Sequence, residues 1–307
     1  MRITQTVKKI LDNYSSESPA IISRLYQILM HGKLSGTGKM LILPVDQGFE
    51  HGPDRSFIKN QASYDPSYHY QLAVDAGLSA YAAPLGFIST SAREFAGQIP
   101  TILKLNSSNS LLSKSSVADQ AFTASVKDAI ELGCCAVGLT IYPGSEKSID
   151  MIEEAREIIR EAKSHGIASV VWSYPRGGDL SKEGETALDV CSYAAHIAAL
   201  IGAHIIKVKP PTAYIEQKEV NSLFDSEKIH IRDFEESIRH VVKSCFAGKR
   251  LVVFSGGATK SNDSIMVEVR SIHNAGGNGS IIGRNTFQRP REEALKLLSN
   301  ICDIYKS

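Results

Sequence analysis

The chain has 307 residues, long enough for two small domains or for one α/β barrel. Its apolar fraction of 43%, charged fraction of 22% and net charge of +1 are ordinary for a globular protein, and they argue against nucleic acid, a membrane surface or a polyanion as partner. No apolar run approaches the roughly 20 residues that span a bilayer. The N-terminal MRITQTVKKILDNY lacks the apolar core of a secretory signal and reads as an amphipathic helix. The five cysteines (134, 135, 191, 245 and 302) show no CxxC and no metal-ligand spacing. Reduced, packed thiols in a cytoplasmic protein are the expectation.

Residues 1–39 read as one or two short helices and a glycine-rich connector, GKLSGTG. Apolar strands and amphipathic helices then alternate. Strand 1 is expected over 40–45, followed by a long loop and a helix over 65–76. Strand 2 is expected over 78–84. Strand 3, over 100–106, precedes a polar loop and a helix over 117–132. Strand 4 covers 134–141 and leads into the strongly periodic helix of GSEKSIDMIEEAREIIREAKSHG. Strand 5 covers 167–174, with a helix over 185–201. Strand 6 is AHIIKVK, 203–209, with a long loop and a helix over 231–247. Strand 7 covers 250–255, with a helix over 261–275. Strand 8 covers 279–284, and PREEALKLLSNICDIY closes the chain as a helix.

Eight strand–helix units with strands apolar on both faces predict a closed (β/α)8 TIM barrel, one domain over 1–307 with 1–39 as a helical extension and 40–307 as the barrel. The alternative, an open doubly wound sheet, commonly carries a GxGxxG after its first strand, and none is present. In a barrel the site gathers at the C-terminal ends of the strands. There stand Asp46 and His51 after strand 1, Lys104 and Asn106 at strand 3, Trp172, Tyr174 and Arg176 at strand 5, and Lys207 and Lys209 at strand 6.

Lys207 and Lys209 share a face by the period of two. Burial and mutual repulsion would both lower a lysine pKa, and the free amine so produced can attack a carbonyl. The alternative for this stretch is that both lysines reach solvent at the strand end. Ser255, Gly256 and Gly257 after strand 7 let backbone amides approach an anion, and Gly283 with Arg284 after strand 8 adds a guanidinium suited to phosphate oxygens. Asp46 is an acid–base candidate or an Asx-turn, and Tyr174 is a phenol beside the pocket or an ordinary buried tyrosine. The nine histidines show neither HxH nor HExxH, so no metal and no cofactor are expected.

The ordered motifs ILPVDQGFEHG, VVWSYPRGG, IIKVK, SGGATKS and IIGRNTF resemble the archaeal-type (DhnA-type) class I fructose-bisphosphate aldolases, from about Gly32 to Phe287. The resemblance implies a metal-independent lysine Schiff-base enzyme that splits fructose 1,6-bisphosphate, a sugar phosphate of glycolysis and gluconeogenesis, into dihydroxyacetone phosphate and glyceraldehyde 3-phosphate. It implies Lys207 as the imine-forming lysine, Tyr174 as the proton-transferring phenol and Asp46 as an acid–base partner. Trp172 and Arg176 would shape the pocket, and Ser255, Gly256, Gly257, Gly283 and Arg284 would hold phosphate; Lys209, on the same strand face as Lys207, is expected among the substrate-binding residues. It also implies a homo-oligomeric ring, commonly a decamer. The chain departs from many relatives where Lys209 is followed by two prolines instead of an aromatic residue. Similar barrels with the same lysine are transaldolase-like synthases or thiolases acting on a phosphorylated sugar or dione, and the tryptophan of WSYPRGG favours the aldolase.

Overall fold

Strand-period alternation sorts the apolar residues of this chain onto two faces, and a barrel is what closes both of them away from water. A computed structural model describes residues 2–113, 115–229, 231, 233–256 and 260–307. Its eight parallel strands are β1 (Met40–Pro44), β2 (Ala80–Pro84), β3 (Thr101–Lys104), β4 (Ala136–Ile141), β5 (Ala168–Ser173), β6 (Ile205–Val208), β7 (Leu251–Ser255) and β8 (Gly279–Ile281). Each pairs with its neighbours in sequence, and β8 returns to β1. The predicted (β/α)8 fold is therefore the observed one. Ile42, Ala82, Ile102, Val170, Ile205 and Val253 point into the lumen. The residues between them, such as Leu43, Leu103, Val171, Ile206 and Val252, pack against the surrounding helices.

The lumen cluster runs on into the N-terminal segment. Two helices, α1 (Gln5–Asp12) and α2 (Pro19–Leu29), contribute Val7, Leu11, Ile21, Leu25 and Ile28 to it and so close the barrel floor. Thr4 and Ser18 cap them, each side chain accepting a backbone N–H, and Pro19 occupies the first turn of α2. Tyr14, between the helices, donates its hydroxyl to the His204 carbonyl at 2.6 Å and accepts the Leu251 N–H at 2.9 Å. That one hydroxyl bolts the extension to the starts of β6 and β7.

The structure corrects several element boundaries. The helix expected over 117–132 is only Val126–Glu131. Ser125 and Asp128 form a capping box there, while Ala121 and Phe122 pair antiparallel with Ser107 and Asn106. Strand 3 is accordingly broken after Lys104. The helix expected over 231–247 is Phe234–Ser244, and a further helix, Lys218–Ser226, precedes it. None of the latter's residues is buried, so it carries no core stripe. The one-turn helices Gln47–His51 and Arg284–Phe287 are too short to show a period. No described helix is long and apolar enough to cross a membrane, and all five cysteines are buried and unpaired.

Gly279 opens β8 at φ +132, against Met40 of β1, whose carbonyl oxygen a Cβ would strike. Strain of this kind costs on the order of 1–3 kcal/mol. Gly279→Ala should therefore lower the melting temperature by about 1.5–5 °C; an unchanged melting temperature would mean that the β1–β8 seam yields freely.

Candidate active site at the strand C-termini

The lumen register that buries Ile102, Val170, Ile205 and Val253 delivers, two residues later, Lys104, Trp172, Lys207 and Ser255. Pairing fixes their heights: Lys207 lies level with Trp172 and Val253, Trp172 with Thr140, and Lys104 with Gly138. Above this layer opens a cavity of about 440 Å³. Asp46, Tyr174, Arg176, Lys207, Lys209, Ser255, Gly256, Gly283 and Arg284 all line it, and Gly257 lies outside the described residues. Five of the lining residues are lysine or arginine against two carboxylates, which suits an anionic ligand. A larger cavity, about 570 Å³, lies at the opposite end between α2 and the starts of β3 and β4, and no lysine or carboxylate lines it.

Lys207 is 4% exposed, and among the described residues its amine makes no hydrogen bond. Burial is the largest influence on it and pulls its pKa down to about 8. The Asp46 and Glu50 carboxylates oppose the shift, and the Lys104 and Arg284 cations deepen it. This corrects the expectation that Lys209 is the repelling neighbour. Lys209 lies beyond the end of β6 and gives its ammonium to Glu185 at 2.9 Å, a carboxylate that also holds Lys182. Glu185 neutralises the charge that would have acted on Lys207.

Trp172, expected to shape the pocket, is 1% exposed and does not line the cavity itself; the Lys207 amine lies over its ring, 5.1 Å from the centroid. The Tyr174 ring stands 5.5 Å from the same amine. Its phenol is held protonated: burial pushes the pKa well above the usual value, Asp46 adds to that, and a hydrogen bond with Ser255 opposes it. Tyr174 is thus a proton donor at neutral pH. Asp46 sits at the start of the short helix that follows β1, and its Oδ1 is buried without a hydrogen-bond partner among the described residues. An unpartnered carboxylate oxygen in a lysine-lined pocket is equipped to accept a proton.

Sequence reasoning missed Glu50. The helix Gln47–His51 places it one turn after Asp46, on the same side, where it lines the cavity and approaches Arg176 at 3.6 Å and His51 at 3.8 Å. Read as loop, the spacing of four carried no signal. Arg176 also lies over the Tyr142 ring at 5.0 Å. Burial lowers the His51 pKa below that of a free imidazole.

On the anion side the expectation for Gly256 needs revision. Its amide already donates to Ile281 at 3.1 Å, so it contributes close approach and not a free N–H. Asn285, which the sequence reading passed over, braces this loop. Its side chain donates to the Gly256 carbonyl at 3.1 Å and accepts the Lys260 N–H at 2.8 Å, bridging the two ends of the segment. Among the described residues no group of three histidine, cysteine, aspartate or glutamate side chains could hold a metal ion.

Residues 40–289 match the sequence model of the DeoC/LacD family aldolases. The chain is 37% identical over 304 residues to a probable class 1 fructose-bisphosphate aldolase of Chlamydia muridarum, covering 95% of this chain and 86% of the relative. It is 36% identical over 268 residues to the class 1 fructose-bisphosphate aldolase of Thermoproteus tenax, covering 87% and 89%. Among solved structures it resembles an archaeal fructose-1,6-bisphosphate aldolase whose catalytic lysine carries the carbinolamine intermediate of the substrate, at 34% identity and a TM-score of 0.73 over 88% of this chain and 95% of that one.

The environment of Lys207 fixes its titration. Acylation by a small amine reagent, followed by peptide mass spectrometry, should show half-maximal reactivity of Lys207 near pH 8. A midpoint near the 10.4 of free lysine would contradict the burial argument.

Proposed function

This chain belongs to the DeoC/LacD aldolase family, and on that footing we propose that it is a Schiff-base fructose-bisphosphate aldolase working through Lys207. The observation that carries the reading is one buried amine with a lowered pKa, unengaged by hydrogen bonds among the described residues, facing a cationic cavity. At pH 7 a lysine of pKa about 8 is free amine in roughly one molecule in ten, against fewer than about one in a thousand for free lysine.

The Lys207 amine attacks the ketone carbon of the bound ketose bisphosphate, and loss of water from the resulting carbinolamine leaves a protonated imine. Asp46 takes the proton from the hydroxyl two carbons from the imine carbon. The bond between that hydroxyl-bearing carbon and the carbon next to the imine then breaks, its electrons form the enamine double bond while the iminium π electrons move to nitrogen, and glyceraldehyde 3-phosphate departs. Tyr174, protonated at rest, delivers a proton to the enamine carbon, the proton held on Asp46 restores the phenol, and hydrolysis returns the amine with dihydroxyacetone phosphate. Arg284 and Gly283, with Ser255 and Gly256 beside them, receive a phosphate, and Arg176 and Lys209, each paired with a carboxylate, line the same cavity. A synthase or thiolase on the same barrel would use the same amine with another acceptor.

Product analysis with fructose 1,6-bisphosphate and a chelator tests the reading. Dihydroxyacetone phosphate and glyceraldehyde 3-phosphate should form at an unchanged rate in EDTA. Loss of activity in EDTA, or release of triose only with a second carbonyl substrate, would overturn it. Tyr174→Phe should fold normally and lower turnover by about 10²–10⁴-fold, the usual worth of a positioned proton donor. Wild-type turnover in that variant would move proton delivery to another group.

A further inference from the structure

Lys104 is the second lysine buried in the lumen, 3% exposed, and no step above uses it. It differs from Lys207 in one respect: its ammonium is held. It donates to the backbone carbonyl of Asn106 and to Asn106 Oδ1 at 3.0 Å. Asn106 cannot turn away, because Oδ1 also accepts the Thr140 N–H at 2.7 Å and Nδ2 donates to the Thr140 carbonyl at 2.8 Å. A flipped amide would set donor against donor at Thr140. The break in strand 3 after Lys104 is what brings Asn106 into this pairing.

Both amines lie over one indole, Lys104 at 5.6 Å and Lys207 at 5.1 Å from the Trp172 ring. Gly138 makes room for that ring: a Cβ there would stand 2.7 Å from Trp172 Cζ3 and 3.0 Å from Cη2. The two lysines therefore share one confined layer.

We propose that Lys104 is a positioning residue of the site: fixed by Asn106, it remains the charged member of the pair and leaves Lys207 as the amine that gives up its proton. This rests on Lys207 being the imine-forming lysine. Burial is the largest influence on both lysines and lowers both, so burial does not choose between them. Nor do the carboxylates, since Asp46 and Glu50 raise both. The remaining groups facing Lys207 are the Arg284 cation and the Tyr174 ring. Acceptors on a charged group stabilise the charged form, and Lys104 has two where Lys207 has none among the described residues. Two interacting amines titrate as a pair, and the first proton leaves the one without acceptors. The charge left on Lys104 then resists reprotonation of Lys207.

The test is the pH profile of borohydride trapping with dihydroxyacetone phosphate in the wild type, Lys104→Met and Lys104→Arg, read as the rate of adduct formation on Lys207. In Lys104→Met the midpoint should rise by about one unit and trapping at pH 7 should fall roughly tenfold. Lys104→Arg, which keeps the charge, should restore the wild-type midpoint. A folded Lys104→Met variant with an unchanged midpoint would overturn the proposal while leaving the aldolase reading intact. No adduct on Lys207 in the wild type would remove both. If Lys104→Met does not fold, acylation of the wild-type protein settles the order: Lys207 should become reactive at lower pH than Lys104, and the same or the reverse order contradicts the proposal.

Discussion

The account depends on the burial of one amine. A lysine on a lumen-facing strand position is enclosed by the barrel walls and lies over the Trp172 ring, so Lys207 meets solvent only through the cavity above it. Desolvation of the charged form is the largest influence on Lys207, and every neighbouring charge only modulates it. The same register that packs Ile205 into the core thus generates a nucleophile two residues further along. Function here is an end effect of core packing: the last turn of a hydrophobic alternation, occupied by a polar residue.

Burial of that kind requires a barrel closed at its sides and beneath the lysine. The strands supply the wall, and the N-terminal helices supply the floor through Val7, Ile21, Leu25 and Ile28. Tyr14 ties them to the carbonyl of His204 and the amide of Leu251, at the starts of the strands that carry Lys207 and Ser255. Below, the Ser169 N–H donates to His204 Nδ1 at 3.0 Å, and His204 Nε2 faces the Glu17 carboxylate at 3.7 Å. The N-terminal extension is structurally part of the site although it lies at the far end from it.

Much of this was legible in the sequence, because the strands are apolar and their period is two. The eight strands, the identity of the rim residues and their sharing of faces all follow from alternation and from glycine and proline punctuation. What escaped was whatever depends on distance across the lumen. Lys104 and Lys207 are 103 positions apart in sequence, and nothing local says that they meet over one indole. Lys209, two residues from Lys207, was the obvious neighbour, yet Glu185 from the preceding loop takes its charge. The one-turn helix after β1 was equally hidden, and with it the pairing of Asp46 and Glu50 on one side. The amide of Gly256 was assigned to an anion because sequence cannot show that Ile281 already accepts it.

Where the covalent bond forms is the central claim, and peptide mapping answers it most directly. After incubation with fructose 1,6-bisphosphate and borohydride at neutral pH, the account predicts one reduced triose phosphate adduct per chain, on the peptide containing Lys207. An adduct on Lys104 or Lys209, or an unmodified chain from an enzyme that still cleaves the substrate, would contradict it.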